Sequence, residues 1–370
     1  MVPFSIAMAT AFALAGCATQ TAPPPVEVLA RPEAAPPQAP QAPRLLPKVP
    51  QPPERPVAPP SVTDPSIPQA QRIDAFVDYT ARTYGVSPQR IRDTLAQAEF
   101  KQGIVDAMNR PAEKTRTWAE YRPIFLNDAR IRGGRQFLAA NRPALARIEA
   151  RTGVPAEVIV AIIGVETSYG KITGNYRVLD AIYTLAFGYP KRAPFFAGEL
   201  AQLFALTEVE PQLDLATLKG SYAGAMGMGQ FMPSSYRLWA QDGDGDGRRN
   251  LLDNLPDVFA SIANYFVVHG WQRGGPVVAR AERDPGAADF EPEGLDPVYP
   301  LADLAARGYR PRAGEPQAEG ATLLTFDGDG GKEHWLAYRN FYVISRYNHS
   351  PKYAMAVHQL SQAIANPSSP

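Results

Sequence analysis

Seventeen of the chain's 38 prolines fall between Pro23 and Pro68, interleaved with Ala, Gln and Val. Each proline fixes its own φ and lacks a backbone N–H, so this segment is barred from helix interiors and central strands. The expectation is a solvated, partly polyproline tether over residues 18–68, with folded sequence beginning near Gln69. The stretch from Gln69 to Pro370 is long enough for one or two domains.

Ahead of the tether stands Cys17, the one cysteine of the chain, so an intramolecular disulfide is excluded. It follows the apolar stretch Phe4–Leu14, which is too short to span a bilayer and suits the apolar region of a secretory signal. Leu14-Ala15-Gly16-Cys17 resembles the lipobox of bacterial lipoproteins, in which the cysteine is acylated and becomes the mature N-terminus. Residues 1–17 are then a lipoprotein signal peptide, although no Lys or Arg precedes the apolar run. The bland alternative is an incidental free cysteine.

Beyond the tether the periodicity is mainly helical. Ile73, Phe76, Val77 and Thr80 recur at helical spacing before Gly85, and Ser87-Pro88 opens a helix over Ile91–Ala98. Further helical patterns cover Gly133–Glu149, Phe195–Leu206, Pro256–His269 and the chain from Lys352 onward. Between Pro276 and Asn340 the pattern changes. Val277–Ala279, Ala321–Phe326 and His334–Arg339 read as strands, the last two joined by a turn over Asp327–Gly331. The fold class is therefore α+β, mainly α, with a small β-rich insertion at about 276–340.

Chemistry is carried by the helix Pro155–Ser168, PAEVIVAIIGVETS. Val158–Val165 holds no charge on any face, so the helix is expected to be buried all round. Glu166 follows, on the side of Ile159, Ile162 and Ile163. Desolvation and the negative end of the helix dipole both act there to favour a protonated carboxyl, as a general acid requires. Downstream, Ser221–Tyr236 reads SYAGAMGMGQFMPSSY; its glycines suit close backbone approach to a ligand, and Gln230 offers donors and an acceptor to a sugar amide or hydroxyl. The alternative for this segment is a tight helix–helix contact through small residues. Lys+Arg and Asp+Glu stand at 37 each, so the basic surface that nucleic-acid binding requires is missing.

The segments Gly164–Phe187, Lys219–Tyr236, Ala263–Trp271 and Ile344–Val357, in this order, resemble the membrane-bound lytic murein transglycosylase B family. The resemblance spans essentially Gln69 to the C-terminus and implies a lysozyme-like helical catalytic domain over 69–370. It implies Glu166 as the catalytic acid, with Ser221, Gln230, Tyr121, Tyr265, Tyr347 and Asn348 around the groove. Arg192, with Lys191, falls where the family has a basic pair near the glycan or its peptide, and Phe195 stands where relatives often carry Tyr. The implied reaction is cleavage of the MurNAc-β-1,4-GlcNAc bond of peptidoglycan with a 1,6-anhydromuramoyl product. One carboxyl suffices because the muramoyl C6 hydroxyl is the nucleophile, and Glu157, on the same helix, is about 13 Å away by helical rise. The competing readings are a hydrolytic muramidase and a non-catalytic peptidoglycan-binding lipoprotein. The resemblance also implies an outer-membrane lipoprotein facing the periplasm of a Gram-negative cell, attached through its N-terminal lipid, monomeric, with glycan strands as partner.

One acidic loop stands apart. Asp242-Gly-Asp244-Gly-Asp246-Gly-Arg-Arg-Asn-Leu-Leu-Asp253 follows the EF-hand pattern, with acids at positions 1, 3, 5 and 12, Gly247 at position 6 and the carbonyl of Arg248 for position 7. It departs in having Asp rather than Glu at position 12 and Arg249 at position 8. The expectation is a structural Ca2+ (or Na+) ion, with no cofactor for catalysis; the alternative is a solvated acidic turn.

Overall fold

The computed structural model describes residues 45–53, 57–110 and 116–366. The expected signal peptide and Cys17 lie outside the described residues. The chain enters its helical body through α1 (Pro60–Thr63), α2 (Gln69–Tyr84), α3 (Pro88–Leu95), α4 (Gln102–Asn109) and α5 (Trp118–Phe125). Gly85 stops α2 in the left-handed conformation at φ 73°. The pattern expected as one helix over Gly133–Glu149 is two, α6 (Asp128–Ala140) and α7 (Arg142–Thr152). Pro143 causes the break, since it opens α7 but cannot donate into the ladder of α6.

The uncharged run forms α8 (Ala156–Thr167), followed by α9 (Val178–Gly188), α10 (Ala193–Val209), α11 (Pro233–Trp239) and α12 (Leu255–Val268). Ile159 to Gly164 are buried on every face, and α6, α7, α12 and the late helix α15 (Pro351–Ala365) all pack against α8. The helix opens at its two ends, at Glu157 on the first turn and at Val165 and Glu166 on the last, all half-buried. A short antiparallel pair, β1 (Tyr176–Arg177) with β2 (Lys219–Gly220), ties the turn after α8 to the glycine-rich segment, Tyr176 opposite Gly220.

The β-rich region is a five-stranded antiparallel sheet. Its strands are β3 (Val278–Arg283), β4 (Tyr299–Pro300), β5 (Tyr309–Pro311), β6 (Gly320–Gly328) and β7 (Gly331–Ala337), ordered β4-β6-β7-β3-β5. Gly328 pairs with Gly331, so the hairpin turn is shorter than Asp327–Gly331. A helix not read from the sequence, α13 (Leu301–Ala306), precedes β5, and Leu304 joins Ala279, Tyr309 and Leu336 in a small core of the region's own. Trp118 of α5 and Phe326 of β6, rings 5.2 Å apart, fasten the sheet to the body. After α14 (Arg339–Tyr347), α15 returns the chain to α8.

The described end of the proline-rich segment is not a solvated tether. Leu46 N–H donates to Val298 O at 2.7 Å, Val49 is buried, and Ala58 N–H donates to Pro194 O at 3.1 Å. Val62, on α1, is wholly buried in the main core. Proline fits here because these residues run extended over the surface, where a missing N–H costs nothing, and because Pro60 opens α1. Val62→Asp should therefore destabilise the domain by about 3 kcal/mol or more, the cost of an unpaired carboxylate in a core, measured by urea unfolding. An unchanged midpoint would mean that this stretch is a free tether after all.

Candidate active site

The end of α8 is built by tertiary contacts. Ser168 and Tyr169 both take left-handed backbone, φ 51° and 64°, which for a bulky residue must be enforced by its surroundings. Tyr169 is held in a slot made by Gly133, Gly134 and Gly164; a Cβ on Gly164 would stand 2.8 Å from its ring. Its ring stacks on Phe137 and its hydroxyl donates to Arg130 O at 2.7 Å. Arg130 in turn donates its guanidinium to the Gly164 carbonyl, a last-turn acceptor that also receives the Ser168 N–H. Thr167 Oγ1 donates to Ile163 O or Met228 O, at 3.1 and 3.0 Å, and accepts from Gly170 N.

Glu166 is thus carried on a rigid support. Tyr353 of α15 donates its hydroxyl to Glu166 Oε1 at 2.5 Å, a bond that favours the ionised carboxyl and opposes desolvation and the helix dipole. Burial, with the charge of Glu166 next, pushes the hydroxyls of Tyr353 and Tyr347 well above the usual tyrosine range, so both remain donors across physiological pH. Tyr121 is almost fully buried, near enough to Tyr353 for its charge to add to that rise.

Beside this group lies a cavity of about 610 Å³. Arg192, Gln230, Tyr265 and Tyr347 line it together, whereas Ser221, Tyr121, Asn348 and Glu166 itself do not; Tyr347, whose hydroxyl feels the charge of Glu166, is the link between the two. Ser221 Oγ accepts from Ala225 N within its own turn, and Asn348 is exposed just after α14. Tyr265 donates to Arg346 O at 2.6 Å and Tyr347 to Gly229 O at 2.6 Å. Arg192 lies over the ring of Phe195, 4.5 Å from its centroid. Gln230 is left-handed at φ 51°, and its amide N donates to Thr173 O and Gly227 O, leaving the amide oxygen as the acceptor available to a ligand.

The glycines near it answer the protein's own packing. At Gly227, φ 69°, a Cβ would stand 2.1 Å from Leu251 O, so backbone meets backbone there rather than a ligand. A carboxylate does line the cavity, Glu199, but Ser234 donates both its N–H, at 2.9 Å, and its Oγ–H, at 2.6 Å, to it. Glu199 anchors the start of α11. The arrangement can transfer a proton through one carboxyl, Glu166, beside a cavity that offers aromatic faces, an amide oxygen and positive charge.

The acidic loop differs from the expected ligand set. Oxygens of Asp242, Asp244 and Asp257 lie within 4.8 Å of one another. Asp246 instead accepts from Arg248 N, Asp253 from Asn250 Nδ2 at 2.5 Å, and Arg248 is exposed. Asp at position 12 is one methylene shorter than the Glu that closes an EF-hand, and the chain turns before α12. Asp257, buried on the first turn of α12, takes that side of the cluster while accepting from Gly243 N and Asn250 N. The N–H groups of Gly247 and Gly245 hold Asp242 below the usual carboxylate range. Burial pushes Asp257 up, and the neighbouring Asp244 and Asp242 add to the rise. Three hard oxygen donors with mutually repelling charge fit a Ca2+ or Na+ ion.

Sequence reasoning did not single out Tyr353, Tyr169, Arg130 or Asp257. Tyr353 and Tyr169 fall inside quoted motifs, but no spacing pairs them with Glu166; Asp257 lies beyond the twelve-residue loop pattern.

In comparison with known proteins, residues 68–362 match the family described as Transglycosylase SLT domain. The chain is 41% identical over 307 residues to the membrane-bound lytic murein transglycosylase B of Escherichia coli (strain K12), which spans 80% of this chain and 83% of that protein. The solved structure of soluble lytic transglycosylase SltB1 from Pseudomonas aeruginosa is 46% identical, with a TM-score of 0.73 over 80% of this chain and 98% of that one. Escherichia coli lytic transglycosylase Slt35, solved in complex with calcium, is 41% identical, with a TM-score of 0.71 over 79% of this chain and 92% of that one.

Proposed function

The chain belongs to the SLT lytic transglycosylase family, and from that premise we propose that it cleaves the MurNAc-β-1,4-GlcNAc bond of peptidoglycan with Glu166 as its single acid and base. The observation that carries the assignment is the Tyr353–Glu166 hydrogen bond at the C-terminal turn of the buried helix α8. Glu166 protonates the glycosidic oxygen as the bond to C1 breaks. As a carboxylate it then takes the proton of the muramoyl C6 hydroxyl while that oxygen bonds to C1, giving a 1,6-anhydro sugar without consuming water. A hydrolytic route calls for a second carboxylate across the bond. Glu199, the carboxylate on the cavity lining, is engaged by Ser234, which supports the intramolecular route. Gln230, Tyr265, Tyr347 and Arg192 are proposed to hold the glycan.

Glu166→Gln should keep the fold and reduce turnover by at least about a hundredfold, the usual weight of a general acid. Mass spectrometry of released muropeptides should show anhydro ends. Residual activity within a few fold of the parent chain removes Glu166 from the role, and reducing ends from the unaltered protein would make it a hydrolytic muramidase.

Calcium is proposed as a structural ion held by Asp242, Asp244 and Asp257, remote from the proton chemistry; a calcium complex of the related Slt35 supports this. An ion that binds only the folded state stabilises by about 2.7 kcal/mol at a hundred times its Kd. The thermal midpoint should rise with calcium, Asp244→Ala should abolish the rise, and Asp253→Ala should keep it. Identical melting curves in chelator and in millimolar calcium would leave only an acidic turn.

The membrane-bound name of the Escherichia coli relative supports a membrane-attached, periplasmic enzyme, and we place the attachment at an acylated Cys17 in the outer membrane. Cys17→Ala should move the protein from the membrane pellet to the soluble periplasmic fraction; unchanged fractionation would end the anchor proposal.

A further inference from the structure

Described residues of the proline-rich stretch ahead of α1 line the cavity that Gln230 and Tyr347 share. The stretch is fastened on one side by Leu46, whose N–H bonds Val298 O and whose side chain fills the space over Gly320, and by buried Val49 against Gly270, just past α12. It is fastened on the other by the Ala58 N–H to Pro194 O, at the start of α10. α12 and α10 carry Tyr265 and Phe195, two residues of the cavity lining, so both attachments are made at elements that line that cavity. Gln51, Pro52, Pro53 and Val57 do line it, on the same space as Gln230 and Tyr347.

From this juxtaposition we infer that Gln51, Pro52 and Pro53 form a wall of the glycan-binding site and contact the bound strand. The inference rests on the proposed function for its ligand. Prolines preset the wall, so little conformational entropy is lost when a ligand packs on it, and they present no N–H to be desolvated. Gln51 is exposed, and its amide N donates to Val49 O and Pro50 O, at 3.3 and 2.9 Å. Its amide oxygen is thereby turned to the role of acceptor, as is that of Gln230. Two amide acceptors on one cavity suit a ligand rich in donors, the hydroxyl and acetamide N–H groups of amino sugars. The pyranose C–H faces would meet the proline rings, and Arg192 and Arg346 on the same cavity add positive charge for the carboxylates of the muramoyl substituent.

The test uses the whole chain with Gln51→Ala, and with Gln51→Ala, Pro52→Gly and Pro53→Gly together, leaving Val49, Ala58 and Val62 in place. On a defined GlcNAc–MurNAc tetrasaccharide, Gln51→Ala should raise KM about fivefold, one hydrogen bond's worth, and the triple change about tenfold or more, with kcat within about twofold. Titration calorimetry in a Glu166→Gln background should give the same ratios in Kd. Unchanged KM and Kd would overturn the inference and make the segment a mere cover; tighter binding would overturn it too, as an obstruction. Gln51→Ala removes only an exposed amide, so an unaltered melting curve is expected and a folding defect cannot stand in for the effect. Should Glu166→Gln still cleave, the assignment of the acid fails, whereas the cavity wall stands or falls on KM in the Glu166-bearing chain.

Discussion

The structure depends on one constraint: a helix without a charge on any face between Val158 and Val165 must be surrounded. α6, α7, α12 and α15 supply that surround, and each is placed by the need to cover α8. A fully enclosed helix cannot present a reactive side chain from its middle, so chemistry is possible only at an end. At the C-terminal end the carbonyls left open by the helix are met by Arg130 and by the Ser168–Tyr169 turn. The left-handed pair is held because Tyr169 has no other place to go: three glycines and Phe137 shape its slot. The same packing that ends the helix therefore fixes where Glu166 points.

The elements around the cavity are linked by similar economy. α12 supplies Tyr265 to the cavity from its middle and Asp257 to the acidic cluster from its first turn. An ion at the cluster would thus hold the start of a helix that lines the site, without reaching the reacting atoms. Glu199 plays the corresponding part for α11, receiving two donors of Ser234 where that helix starts. Buried carboxylates here serve as anchors for helix starts, where N–H groups lack intrahelical partners. Glu166 differs in standing at a helix end that repels negative charge, where the Tyr353 hydroxyl donates to it.

Sequence alone determined the helical class, the late β-rich region, the central position of α8 and the carboxyl of Glu166 at its end. Each follows from local signals: periodicity, absence of charge, proline and glycine at boundaries, and motifs contiguous in the chain. Gln230, Tyr265, Tyr347 and Arg192, named by resemblance rather than by spacing, lie on one cavity. What tertiary structure decided was every pairing between distant residues. Tyr353 reaches Glu166 across 187 positions, and backbone direction, not loop count, brings Asp257 beside Asp242 and Asp244. The end of the proline-rich stretch is the sharpest case. Proline composition excludes helix and sheet but is silent on whether an extended chain is solvated or packed; that is settled by whether a folded surface offers Val298 O, Pro194 O and a core pocket for Val62. Such partners exist only once the rest of the chain has folded.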